Sequence, residues 1–330
     1  MSASTLPKLT ARTVRNACKL LKSPPTIRVV ACPFSGGQPR PGTDIAPSTL
    51  LSAGLIPQLE ALHWKVNFQK PLPESFLALN PKDDPPIGRM QNPRSVSKVC
   101  KEVSKQVSEA CKAGELPLTL GGDHSLAMGT IAGTMSKYPN ACVVWVDAHA
   151  DINTPNSTES GNLHGCPVSF LLGLKGAKDL APFSEWLSPC LDAKSIVYIG
   201  LRDVDPAEKA ILRENNIKAF SMHDVDKHGI GKVVEMALEA VNPNGDRPIH
   251  LTYDVDALDP AVAPSTGTPV RGGLSFREGH YIVEAIAETG MLVALDIMEV
   301  NPSLRDELSV QQTVAVGCSL ARSALGETLL

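Results

Sequence analysis

Several things are missing from this 330-residue chain, and each absence closes a class of function. No apolar run approaches the roughly 18 residues that span a bilayer, so no membrane partner is expected. Neither sign of charge dominates: 31 basic against 35 acidic side chains leave a net charge of −4. A nucleic-acid partner, which needs a basic surface, is therefore not expected either. The eight cysteines (18, 32, 100, 111, 142, 166, 190 and 318) contain no C-x-x-C pair. Scattered through apolar runs, they read as reduced core residues, not as a disulfide framework. A reducing, intracellular compartment is expected, the cytoplasm first and an organelle (peroxisome-like or mitochondrial) as the alternative. The nucleotide signatures G-x-x-x-x-G-K-[ST] and strand-linked G-x-G-x-x-G are missing, as is the G-x-S-x-G elbow. There is no acidic residue before Asp44. That basic N-terminus is read as a solvated helix before a transit peptide.

What is present alternates. Short, continuous apolar segments at 27–33, 65–69, 116–120, 141–146, 195–199, 217–221, 249–253 and 292–298 suit strands covered on both faces. Helical patterns fill the gaps at 47–62, 94–113, 124–137, 206–215, 230–241, 275–289 and 307–325. This order predicts an α/β protein with a parallel sheet and helices on both sides. One domain over 1–330 is expected, with residues 1–25 as an N-terminal extension. The proline-rich stretch 71–93 is read as a surface excursion, because the alternation resumes unchanged after it.

Five polar clusters share one placement, directly after a predicted strand: Gly121–Ser125, Asp147–Asp151, Gly200–Asp205, Asp254–Asp256 and Glu299–Asn301. Sites in parallel α/β sheets form outside the carboxyl ends of strands, so all five can face one crevice. In Asp-Ala-His-Ala-Asp, an extended backbone would turn Asp147, His149 and Asp151 to one face and the alanines away. Asp254 and Asp256 repeat the spacing. With His124, this makes four carboxylates and two imidazoles, more than one ion needs. Two divalent ions with shared carboxylates fit better, and mixed oxygen and nitrogen donors suit manganese. The reaction class is then metal-assisted hydrolysis. The polar loop from Asn153 to His164 is placed to meet a substrate, and His164 is able to carry protons.

Those same segments resemble the arginases of the ureohydrolase family. The resemblance rests on PFSGGQPRPGTD at 33–44, GGDHS at 121–125, DAHADINTP at 147–155, SGNLHGCPVSF at 160–170, GLRDVDP at 200–206, DVDALDP at 254–260, GTPVRGGLSFREG at 267–279 and LDIMEVNPSL at 295–304. It runs from about residue 27 to the C-terminus.

The resemblance implies a three-layer α/β/α sandwich around an eight-stranded parallel sheet, and a homotrimer. It implies two Mn(II) per subunit, one held by His124, Asp147, Asp151 and Asp254, the other by Asp147, His149, Asp254 and Asp256. A metal-bridging hydroxide would convert L-arginine to L-ornithine and urea. His164 would shuttle protons, Asp151 orient the hydroxide and Glu299 pair with the guanidinium. Asn153, Thr158, Ser160, Asp205 and Thr268 would complete substrate binding, with Asp205 on the α-ammonium. The alternative is another ureohydrolase, such as an agmatinase or formiminoglutamase. Departures from the family pattern are Thr252-Tyr253 for Ser-Phe, Cys166 for Gln, and Glu159, an added negative charge in the carboxylate-binding loop.

Overall fold

The computed structural model describes residues 19–68 and 83–328. Eight strands form one sheet: β1 (Thr26–Ala31), β2 (Lys65–Phe68), β3 (Leu116–Leu120), β4 (Cys142–Val146), β5 (Ile196–Leu201), β6 (Lys218–Ser221), β7 (Ile249–Asp254) and β8 (Leu292–Met298). Their order is β2-β1-β3-β8-β7-β4-β5-β6, and every pairing is parallel. All eight expected strands are present. Parallel pairing requires a crossover between strands, and the helices supply it: α1 (Ala46–Ser52), α2 (Leu55–Ala61), α3 (Pro93–Lys112), α4 (Ala127–Met135), α5 (Pro167–Leu171), α6 (Pro206–Glu214), α7 (Met222–His228), α8 (Ile230–Val241), α9 (Phe276–Thr289) and α10 (Glu307–Ala324).

The sheet has a core on each face, which explains the continuous apolar runs. Val144 and Val146 of β4 join Ile27, Leu118, Leu251, Leu50, Ile282 and Leu320 on one side. Val143 and Trp145 join Tyr198, Val103, Ile131 and Val168 on the other. A strand inside two helix layers has no polar face to show, so alternation disappears from its sequence.

Two helical expectations needed revision. The segment 47–62 is two helices, because Gly54 adopts a left-handed φ of 86° and breaks the run between them. The short helices α5 and α7 were not anticipated; each is too brief to show a helical period. Of the stretch 71–93, residues 71–82 lie outside the described residues, as do residues 1–18 of the N-terminal extension. The remainder is not all surface. Asp84 and Met90 are buried, and the Asp84 carboxylate accepts from the backbone N–H of Arg94 (2.9 Å) and Ser95 (2.7 Å), capping α3. Among the described residues no helix is long and apolar enough to cross a membrane.

Candidate metal centre and substrate pocket

The five strands that end in polar clusters are neighbours in the sheet, in the order β3-β8-β7-β4-β5. Their carboxyl ends therefore open on one place. His124 lies in a short 3-10 turn after β3, whose N-cap is Asp123, with Asp123 Oδ1 accepting from Ser125 N–H at 3.0 Å. His124 Nδ1 faces three carboxylates: Asp147 Oδ2 at 3.1 Å, Asp254 Oδ2 at 3.2 Å and Asp151 Oδ2 at 3.4 Å. Its Nε2 lies 2.9 Å from the Thr252 hydroxyl, and its ring stacks on Trp145 with centroids 4.2 Å apart. With Nε2–H donating to Thr252, Nδ1 keeps its lone pair for a cation lying between it and the carboxylates. His149 Nδ1 meets Asp147 Oδ1 at 3.3 Å and Asp256 Oδ2 at 3.2 Å. Two groups of possible metal ligands result, His124/Asp147/Asp254 and Asp147/His149/Asp256, and Asp147 belongs to both.

The local backbone differs from the extended run expected for 147–151. The strand stops at Val146 and the chain bends at once. Asp151 has φ +49°, a region few side chains occupy and which costs about 1–3 kcal/mol. The bend, not strand alternation, brings Asp151 back to His124. Asp254 likewise precedes a 3-10 turn and caps it: one oxygen accepts Asp256 N–H at 2.8 Å while the other faces His124. The residues of the turn cap are thus also placed as candidate ligands.

Electrostatics show what this cluster needs. Burial and then the neighbouring carboxylates push Asp151 and Asp254 well above the usual carboxylate range; burial also raises Asp256. Asp147 goes the other way: burial works to raise it, but hydrogen bonds to His124 and His149 override that and hold it low. Burial works to lower His124, and Asp147, Asp151 and Glu299 bring it up to about 9. Among the described residues, no Lys or Arg forms an ion pair with these four carboxylates. Buried carboxylates with open lone pairs, interleaved with imidazoles and without basic side chains, fit divalent cations.

Glu299, after β8, is 2% exposed with φ +64°. Its Oε1 accepts His124 N–H at 2.8 Å and lies 3.4 Å from His164 Nδ1; its Oε2 accepts Gln38 Nε2–H at 2.7 Å. Burial works to lower His164, and the Glu299 carboxylate raises it.

Over the cluster lies a cavity of about 310 Å³ whose walls include His149, Asp151, Asn153, Thr158, Glu159, Ser160, His164, Asp205, Asp254 and Thr268. Of the cluster, His149, Asp151 and Asp254 line this cavity, while His124, Asp147 and Asp256 are fully buried and do not. Asn153 Nδ2 donates to Asp205 Oδ2 at 2.9 Å, so two wall residues come paired. Thr268 turns its hydroxyl to Asp256 Oδ2 at 2.9 Å. The loop is braced from outside: Arg89 Nη1 donates to Thr158 O, and Gln91 N–H to Gly161 O. Sequence reasoning missed four supporting residues: Gln38, Thr252, Trp145 and Glu208, whose carboxylate accepts Ile152 N–H (3.1 Å) and Asp205 N–H (3.0 Å). Thr252 had a signal, standing two residues before Asp254 on the same strand face. Gln38 had none.

Fold and site together define an α/β protein with a carboxylate- and imidazole-rich pocket at the carboxyl edge of its sheet. The sequence model of the Arginase family matches residues 25–326. An arginase of Glaciozyma antarctica is 61% identical over 311 residues, covering 94% of this chain and 90% of the relative. An arginase of Neurospora crassa is 55% identical over 322 residues, covering 94% and 89%. The crystal structure of a cold-adapted arginase from Glaciozyma antarctica superposes with a TM-score of 0.78 at 53% identity, covering 95% of this chain and 99% of that one. The chain belongs to the arginase family and is an arginase-type enzyme among the ureohydrolases.

Proposed function

We propose that this pocket hydrolyses the guanidinium group of L-arginine to L-ornithine and urea with the help of two Mn(II) ions. The observation that carries the reading is the pair of ligand groups sharing Asp147 beneath a polar cavity. One ion would be held by His124, Asp147, Asp151 and Asp254, the other by Asp147, His149, Asp254 and Asp256. When bound, such ions supply a water activated near neutral pH and Lewis acidity. The remaining work falls to the chain. Glu299 offers the anion that a guanidinium requires. Asp151, its carboxylate in both the cluster and the cavity wall, orients the attacking water. His164 delivers a proton to the departing amine; its contact with Glu299 favours the protonated ring. Asn153, Thr158 and Ser160 present neutral donors to the α-carboxylate, and Asp205 an anion to the α-ammonium. Thr268 both lines the cavity and steadies Asp256.

The loop from Asn153 to Ser160 supports an α-amino-acid substrate over agmatine, which has no α-carboxylate. Urea release from the manganese-loaded protein should be faster with L-arginine than with agmatine. The opposite preference would overturn the substrate assignment.

For assembly we favour a homotrimer. Phe276 and Tyr281 stand exposed on α9 around Arg277 and Glu278, an apolar and charged face suited to a second copy of the chain. Sedimentation of the intact chain reads the assembly directly. The seven described cysteines are unpaired and six are buried, which supports a reducing compartment.

A further inference from the structure

Behind Glu299 lies a side chain from the 33–44 segment to which the sequence assigned no role. Gln38 is 7% exposed. Its Nε2 donates to Glu299 Oε2 at 2.7 Å and more weakly to Thr43 Oγ1 at 3.3 Å. The other Glu299 oxygen takes the His124 N–H at 2.8 Å. Each carboxylate oxygen therefore has its own donor, one from each side. Gln38 is itself fixed. The preceding Gly37 donates its N–H to Asp123 Oδ2 at 2.8 Å and accepts His164 N–H at 3.0 Å. A Cβ on Gly37 would collide with Asp123 and Ser125, so only glycine lets the loop lie this close. On the far side, Arg40 donates to Gly267 O.

We infer that Gln38 is a positioning residue that aims the Glu299 carboxylate at the substrate guanidinium while leaving its negative charge intact. The inference rests on the arginine-hydrolysing reading above. A lysine or arginine in this place would neutralise Glu299 and compete with the substrate cation. A neutral amide fixes the geometry and leaves the charge for the ligand. Because Glu299 meets the bound guanidinium and not the attacking water, losing its orientation should appear mainly as weaker substrate binding.

Gln38→Met removes the donor and keeps side-chain length and burial. With manganese-loaded enzyme, the KM for L-arginine should rise ~10–100-fold, the size of one hydrogen bond to a charged group, with kcat little changed. Inhibition by L-norvaline, which has the α-amino-acid end and no guanidinium, should not change, nor should metal content. Gln38→Asn, whose amide is one carbon short of Glu299, should share the effect and serves if the Met variant fails to fold. Thr43→Val, which removes the weaker bond and the Thr43 hydroxyl's bond to Phe34 O but leaves Gln38 on Glu299, should leave KM unaltered. An unchanged KM in the Met and Asn variants overturns the inference. So does a rise that L-norvaline inhibition or metal loss tracks in parallel, which marks a structural role. A wild-type enzyme that releases no urea from L-arginine overturns the functional reading, and this inference with it.

Discussion

Tyr253 is fully buried, and its hydroxyl has no hydrogen-bond partner among the described residues. A Cβ on Gly279 would lie 2.6 Å from that oxygen, so the phenol tip presses on the first turns of α9. A buried donor left unmade costs about 1–3 kcal/mol. Tyr253→Phe keeps the ring and removes the orphan, so it should raise the thermal unfolding midpoint, with a gain of about 1 kcal/mol. A lower midpoint would show that the hydroxyl is paired in solution. At this scale the sequence was most legible where chemistry is concentrated. Asp147, His149, Asp254 and Asp256 are conspicuous because charged residues at the end of a buried strand need a reason. Gln38, Glu208 and Trp145 were not conspicuous. Their roles show only where separate segments meet: Gln38 on Glu299, Glu208 on Ile152 N–H, and Trp145 stacked on His124.

Strands and long helices were legible for a related reason: their period or apolar continuity is local. The missed helices α5 and α7 are short, with five and seven residues, too few for a helical period to show. A polar tie joins elements that no local pattern connects. His250 of β7 and Asp296 of β8 meet at 2.8 Å in full burial, and α4 adds Thr130 to Asp296 (2.6 Å) and Thr134 to His250 (2.9 Å). Burial works to raise Asp296, and the adjacent imidazole and hydroxyls overcome it and hold the carboxyl below its ordinary value. A carboxyl depressed in the folded state stabilises fully above its unfolded pKa, near 4, and that stability is lost as pH falls through the folded value. Asp296→Asn should therefore cost about 3 kcal/mol at neutral pH, the scale of a broken buried pair. The gap from wild type should narrow in urea unfolding below about pH 4. A gap constant from pH 7 down to pH 3 would mean that Asp296 is not ionised in the native protein.

At the scale of the whole molecule, the chain ordering that makes the site was the least legible part. Strand ends bearing polar clusters were visible one by one, but the insertion of β8 and β7 between β3 and β4 is a long-range fact. That insertion sets Glu299 beside His124 although 175 positions separate them. It also concentrates charge. Asp147, Asp151, Asp254 and Asp256 come together in burial with two imidazoles as their basic partners. Burial and mutual repulsion raise Asp151, Asp254 and Asp256. The fold must hold these like charges together, and the unfolded chain need not. Divalent cations, by binding the folded arrangement alone, would relieve that repulsion and add about 2.7 kcal/mol at a hundredfold excess over Kd. For a chain of this size that is a shift of roughly 4 °C. Dialysis against a chelator should lower the unfolding midpoint by that order, and added Mn(II) should restore it along a saturating curve. Restoration should follow metal content measured on the same samples. A midpoint indifferent to manganese from micromolar to millimolar would mean that the carboxylates are held by protons and protein donors alone, and the two-ion reading would fall at its foundation.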